Sequence, residues 1–174
     1  MKTPGIYTCG YGDSGRSKSA ARREPGSLDG PDALASLVTR LDATLVDVRA
    51  FPGPVVESDV VRTGARVRYA SGRVIYTRRG FWRIELSALL GARYEWRGDR
   101  LGGDWGGSPG PTPAGIAELA ADVARGRRLV LMCSEAGSAS CHRHHLIEPR
   151  LPALRFRHLS WQGGRWLDGG QVIA

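Results

Sequence analysis

Lysine is nearly missing from this chain: Lys2 and Lys18 are the only lysines among 25 basic residues, so arginine carries the positive charge. Long apolar runs are missing too. None approaches the roughly 20 residues a bilayer-spanning helix needs, and Met1-Lys2-Thr3-Pro4-Gly5 leads into a strand-like segment instead of an apolar leader. These absences exclude helical membrane spans and predict a cytoplasmic location with no membrane partner. Cysteine is scarce. Cys9, Cys133 and Cys141 are odd in number and irregularly spaced, which excludes a secreted disulfide framework and points to reduced thiols.

What is present suits a globular protein. With 174 residues, 41% of them hydrophobic and 24% charged, the chain is long enough for one domain with its own core. The formal net charge of +8 favours an anionic partner, either nucleic acid or a phosphate-containing ligand. Arginine is the better bidentate phosphate ligand. A GC-rich coding sequence would produce the same arginine bias, so composition alone leaves the partner open.

The apolar pattern alternates between strands and helices. Gly5 to Cys9 reads as a short buried strand, followed by the glycine-rich turn Gly10-Tyr11-Gly12 and a basic loop at about 13–30. Pro31-Asp32 opens a helix with Leu34, Leu37, Val38 and Leu41 on one face, and Thr44 to Arg49 is an interior strand. Val67 to Thr77 reads as a hairpin turning at Ser71-Gly72, within an insertion at about 62–80. The remaining segments are a helix over 81–90, a strand over 93–96, a loop to Pro113, a helix over 115–125, a strand over 129–133, a helix from Ser140 to about Ile147 and a last parallel strand over 154–159. No internal repeat or second domain is visible. The reading is a single α/β domain over 1–174, Rossmann-like, with a mostly parallel sheet and helices on both faces.

Ligands of such sheets bind beyond the carboxyl ends of the strands. There the sequence places Gly10, Tyr11 and Gly12, then Asp47 and Arg49, then Cys133 and Glu135. A small-residue loop continues to Cys141-His142-Arg143, with Ser140 a candidate N-cap. A helix starting there would offer unpaired N–H groups and, with His142 and Arg143, hold phosphate. The same field would activate the Cys141 thiol. Glu135 suits proton transfer, and Asp47 suits a carboxylate base with Arg49 as an anion clamp facing the Cys-His-Arg helix. A simple salt bridge between Asp47 and Arg49 is the structural alternative. The candidate catalytic residues are thus Asp47, Glu135 and Cys141, and the candidate binding residues are Gly10, Tyr11, Gly12, Arg49, Cys133, His142 and Arg143. A zinc site from Cys9, Cys133, Cys141 and His142 has the right donors. Closely spaced ligand pairs are absent, however, and Arg143 puts a cation beside it, so no metal is expected.

Thr8-Cys9-Gly10-Tyr11-Gly12, Leu45-Val-Asp-Val-Arg49 with Pro52, Leu101-Gly102-Gly103, and above all Leu131-Met-Cys-Ser-Glu135 leading to Cys141-His142-Arg143 resemble the bacterial and archaeal family known as domain of unknown function 488. The resemblance implies a compact α/β domain with an active-site crevice formed by these motifs, and supplies no reaction or cofactor. The basic insertion after Gly12 and the arginine-rich stretch from Arg62 to Arg83 depart from the family pattern and suit a large polyanion.

Three functions are therefore in play. The first is an enzyme acting on a nucleotide, nucleobase or nucleic acid. The second is a DNA- or RNA-binding module without catalysis, and the third a thiol enzyme using Cys141. A constellation of Cys, Glu and Cys-His-Arg at strand ends favours an enzyme over a binding surface.

Overall fold

The apolar runs that read as interior strands are buried from end to end, Ile6 to Gly10 and Leu129 to Cys133 alike, as strands covered on both faces must be. The computed structural model describes residues 5–12, 26–53, 66–68, 74–76, 80–103, 109–137, 139 and 141–173. In chain order these form β1 (Ile6–Gly10), α1 (Asp32–Leu41), β2 (Thr44–Asp47), β3 (Arg66–Arg68), β4 (Val74–Tyr76), α2 (Arg83–Leu90), β5 (Tyr94–Trp96), α3 (Gly98–Leu101), α4 (Pro113–Ala124) and β6 (Leu129–Cys133). A π-helical turn (Arg143–Ile147) and a 3-10 turn (Glu148–Arg150) follow, then β7 (Phe156–Gln162), β8 (Arg165–Asp168) and β9 (Gln171–Val172).

The architecture is α/β, built on a seven-stranded mixed sheet in the order β5-β2-β6-β1-β7-β8-β9. β5, β2, β6, β1 and β7 run parallel. Counted along the chain, these parallel strands lie in the order 3-2-4-1-5, whereas the usual dinucleotide-binding order is 3-2-1-4-5. β6 therefore lies between β2 and β1.

Strand alternation sends successive side chains to opposite faces. Tyr7, Cys9, Leu45, Val130 and Met132 pack with Leu34, Leu37 and Val38 of α1 and Leu86 of α2. Ile6, Val46, Leu129, Leu131 and Cys133 pack with Ile116, Leu119 and Val123 of α4 and with Cys141, Ile147 and Leu151. Helices thus cover both faces.

The predicted hairpin is present as β3 paired antiparallel with β4, Val67 opposite Ile75, and its proposed turn at Ser71-Gly72 lies outside the described residues. So do Ser140 and most of the basic loop. The last strand is longer than predicted, and two further antiparallel strands follow it. Both connections are Gly-Gly pairs, Gly163-Gly164 and Gly169-Gly170, with all four φ angles positive. This is the backbone a two-residue hairpin turn requires.

Among the described residues, two side chains cap helix N-termini. The Thr112 hydroxyl accepts from Gly115 N at 3.1 Å ahead of α4, and the Glu85 carboxylate accepts from Gly80 N at 2.6 Å and Trp82 N at 3.0 Å ahead of α2.

A carboxylate–arginine network ties α4 to the sheet edge. Buried Asp122 accepts from Arg97 at 2.6 Å, Arg125 at 2.6 Å and Arg127 at 2.9 Å, and Glu95 on β5 accepts from Arg97 and Arg127. Burial pushes the Asp122 and Glu95 carboxyls up, but the arginine hydrogen bonds outweigh it and hold both below the usual carboxylate range. With folded pKa values depressed, this stabilisation is complete above the unfolded carboxylate values. It is lost as pH falls through them toward the folded ones. Urea midpoints measured downward from neutral pH should therefore fall steeply below about pH 4, and Asp122→Asn should flatten that acid limb while lowering stability at neutral pH.

Candidate active site

β1 and β6 are neighbours, with Gly10 opposite Cys133 at their carboxyl ends. Their pairing continues past the strands: Tyr11 N donates to Cys133 O at 3.4 Å and Gly12 N to Ser134 O at 2.9 Å. The segment after β6 presses on the end of β1 so closely that a Cβ on Gly10 would lie 1.5 Å from the Glu135 carbonyl oxygen. The glycine turn does permit a close backbone approach, as its sequence suggests. The approaching group is the chain's own loop.

Arg143 holds that loop down. Its side chain is 1% exposed, and the guanidinium donates to the carbonyls of Cys9, of Glu135 at 2.9 Å and of Gly137 at 3.5 Å. Its Nε donates to Cys141 Sγ at 3.0 Å. The fork expected to hold phosphate is filled by oxygens and a sulfur of the chain itself. The expected helix at Cys141 is the short π-helical turn, begun by His142.

Cys133 and Cys141 meet on the face covered by α4. The Cys133 thiol donates to Glu135 Oε2 at 2.8 Å, and its sulfur lies 3.7 Å from His142 Nδ1, while the Cys141 sulfur lies 3.8 Å from the same nitrogen. The other ring nitrogen, Nε2, is buried and has no hydrogen-bond partner among the described residues. The neighbouring Cys133 thiol, against burial and together with His142 and the charge of Arg143, holds Cys141 well below the usual thiol range. Burial, with the neighbouring Cys141 and Glu135, pushes Cys133 up, and burial with the charge of Cys141 raises Glu135. The two thiols are thus shifted in opposite directions.

Cys9 is on the other face, among Tyr7, Leu34 and Met132. It falls one residue out of step with the positions that look toward α4, and burial pushes its thiol up to about 12.

Asp47 and Arg49 form the pair their spacing suggests. Asp47 Oδ1 accepts from Arg49 Nε at 2.8 Å and Arg49 N at 3.1 Å, and Oδ2 accepts from Arg49 Nη2 at 2.6 Å and the Tyr94 hydroxyl at 2.7 Å. Both oxygens are engaged and fully buried. Arg49 also donates to the Tyr11 hydroxyl at 3.3 Å, and the Tyr11 ring stacks on Phe81 at 4.5 Å between centroids. This group belongs to the face of Leu45, Tyr11 and Phe81. Asp47 and Arg49 therefore do not oppose Cys133 and Cys141 across a crevice. Alternation along β2 and β6 puts the two groups on opposite sides of the sheet.

Tyr94 was not among the sequence candidates, because its partner is 47 residues away and no local spacing marks it. Of the tryptophans, Trp96 lies under the Arg83 guanidinium at 4.3 Å, Trp161 donates to Asp29 and Trp166 to Ala33 O. Trp166 is buried, Trp96 and Trp161 are half-buried against the chain's own residues, and Trp105 lies outside the described residues. His144 pairs with Glu148 at 2.8 Å on the surface.

Comparison with family models, with curated proteins and with solved structures finds no match to this chain. No helix among the described residues is long and apolar enough to cross a membrane.

Proposed function

We propose that this chain is an enzyme whose reaction centre is the group Cys133, Glu135, Cys141 and His142, acting on a nucleotide, a nucleobase or a nucleic acid. The observation that carries the reading is the company Arg143 keeps: a buried guanidinium bonded, among the described residues, to three carbonyl oxygens and one sulfur and to no carboxylate. A buried cation requires a nearby anion. Among its bonded partners only the Cys141 sulfur can carry that charge, so Cys141 works as a thiolate. Glu135, hydrogen-bonded to the adjacent thiol, is the group that moves protons.

The position supports this reading, because ligands of doubly wound sheets collect beyond the carboxyl ends of adjacent parallel strands. In that broad sense the domain is Rossmann-like. Of the motifs that resemble domain of unknown function 488, Thr8 to Gly12 and Leu131 to Glu135 with Cys141-His142-Arg143 meet here, and membership of that family is part of the same proposal. The substrate class rests on the net charge of +8 and its arginine character. With the Arg143 fork filled, phosphate falls to the arginine-rich segments at 16–23 and 62–83, and the setting we assign is the cytoplasm.

Turnover should be sought with a panel of nucleotides, nucleobases and short oligonucleotides. With the active substrate, Cys141→Ser and Glu135→Gln should each lower kcat by roughly 10²–10⁴-fold. Glu135→Gln should leave the urea midpoint little changed, whereas Cys141→Ser, which removes the counter-charge of buried Arg143, should lower it. Undiminished turnover in both variants would refute the assignment. Salt-sensitive oligonucleotide binding with no turnover of any substrate would make the chain a binding module instead.

A further inference from the structure

His142 Nδ1 faces two sulfurs at once, Cys133 at 3.7 Å and Cys141 at 3.8 Å, and the three atoms all lie within 4.8 Å of one another. An imidazole nitrogen offers one proton or one lone pair, so it serves both sulfurs at these distances only as a weak, shared contact. The Cys133 proton is moreover directed at Glu135. A shared cation satisfies all three donors together. Zinc–sulfur bonds of about 2.3 Å and a zinc–nitrogen bond of about 2.0–2.1 Å, at tetrahedral angles, place sulfur about 3.6 Å from nitrogen and the sulfurs about 3.8 Å apart. The observed sulfur–nitrogen edges have that length.

We propose that Cys133, Cys141 and His142 hold a zinc ion, with the fourth position left for water or a substrate atom. The inference rests on the functional reading above, in which Cys141 accepts from the buried Arg143 guanidinium, and gives that sulfur the task of a ligand. Thiolates and imidazole are the donors zinc prefers, and three protein ligands with one open position is the arrangement of catalytic zinc sites. Charge balances as well. Two thiolates match Zn²⁺, and over the group as a whole the single charges of Arg143 and Glu135 sum to zero. On binding, the Cys133 proton leaves its sulfur for Glu135 Oε2, 2.8 Å away, and passes from there to solvent.

The two sequence arguments against a metal lose their force in three dimensions. Close ligand spacing is a requirement of small finger folds, whereas here the end of β6 and the turn at Cys141 bring the donors together. Arg143 does not compete for the ion: its Nε–H donates to the Cys141 sulfur at 3.0 Å, as outer-shell donors to metal thiolates do, and its other nitrogens are held by carbonyls. Cys9, the fourth donor weighed from sequence, faces the opposite side of the sheet.

His144, Glu148 and His158 also bring their ligand atoms within 4.8 Å. Glu148 already bonds both histidines, at 2.8 Å and 3.1 Å, and the remaining nitrogen of His158 bonds to Thr8 at 2.8 Å, so these groups are satisfied without an ion. They serve as the control.

The test uses the full chain, purified without a polyhistidine tag and without chelator, and read by elemental mass spectrometry. One zinc per chain is expected. After chelator treatment, titration with cobalt(II) should saturate at one ion and give a sulfur-to-cobalt charge-transfer band with the visible absorption of a tetrahedral site. Cys133→Ser should remove about half of the charge-transfer intensity. His144→Ala with His158→Ala should leave metal content and spectrum unchanged. Absence of zinc together with a cobalt spectrum lacking the thiolate band overturns the proposal. So does a metal that survives in Cys133→Ala with Cys141→Ala but is lost from the histidine control. The wild-type cobalt spectrum decides the matter even if a cysteine variant fails to fold. If zinc is absent while alkylation of Cys141 abolishes turnover, the zinc site falls and the enzyme reading stands. If zinc is bound and no substrate in the panel turns over, the zinc site stands and the functional reading falls.

Discussion

Asp47→Ala is expected to cost about 3–5 kcal/mol of folding stability, because it leaves the buried Arg49 guanidinium without its counter-ion. At roughly 2–4 °C per kcal/mol for a chain of this size, the thermal midpoint should fall by about 6–20 °C. Asp47 receives four hydrogen bonds, three from Arg49 and one from the Tyr94 hydroxyl, in a position with no solvent contact. Removing one partner is costlier than removing both: the charge that remains has lost its solvation and gained nothing in return. The double change Asp47→Leu with Arg49→Met should therefore recover much of the loss. Urea unfolding of the three chains measures this. A single variant that loses less than about 1 kcal/mol would show a solvent-accessible carboxylate, and Asp47 would return to consideration as a base.

Arg143→Lys should be nearly as damaging, by about 2–4 kcal/mol, although it keeps the charge. One guanidinium reaches the Cys9 carbonyl on β1, the Glu135 and Gly137 carbonyls of the loop and the Cys141 sulfur. An ammonium is a point donor and cannot span that set, so buried carbonyls lose their partners at about 1–3 kcal/mol each. The damage should also be local. Hydrogen exchange of Gly12 N, which donates to Ser134 O, should accelerate more than that of β2 amides, since the loop over β1 loses its anchor. Equal acceleration throughout would mean that Arg143 supports the whole domain and not this loop.

Both predictions concern groups the sequence singled out for other work. The alternate spacing of Asp47 and Arg49 announces a pair on one face of a strand, and the pair is there. Spacing along one strand does not say which face of the sheet that is, or that Tyr11, Phe81 and Tyr94 close over it. Gly10 and Gly12 announce a tight approach, but a glycine records only that something comes near. Here it is the Glu135 loop. The antiparallel strands β8 and β9 were legible in principle, since Gly-Gly pairs separate short alternating runs. Reading the last parallel strand as the end of the sheet hid them.

The sequence by itself determined what depends on neighbours along the chain. Continuous apolar runs made interior parallel strands, the spacing of Leu34, Leu37 and Val38 turned α1 toward the sheet, and Cys-Ser-Glu with Cys-His-Arg located the candidate centre. Only the tertiary structure decided what those residues do for one another. Arg143 meets the Cys9 carbonyl across 134 positions, and that bond turns an expected phosphate clamp into the anchor of a loop. Strand parity separates Asp47 and Cys9 from Cys133 and Cys141. Periodicity encodes which side of an element is buried, whereas hydrogen bonds and ligand sets are chosen by distance in space. That is why the Cys133 to Arg143 segment was evident from sequence, and its arrangement of two sulfurs around one imidazole nitrogen was not.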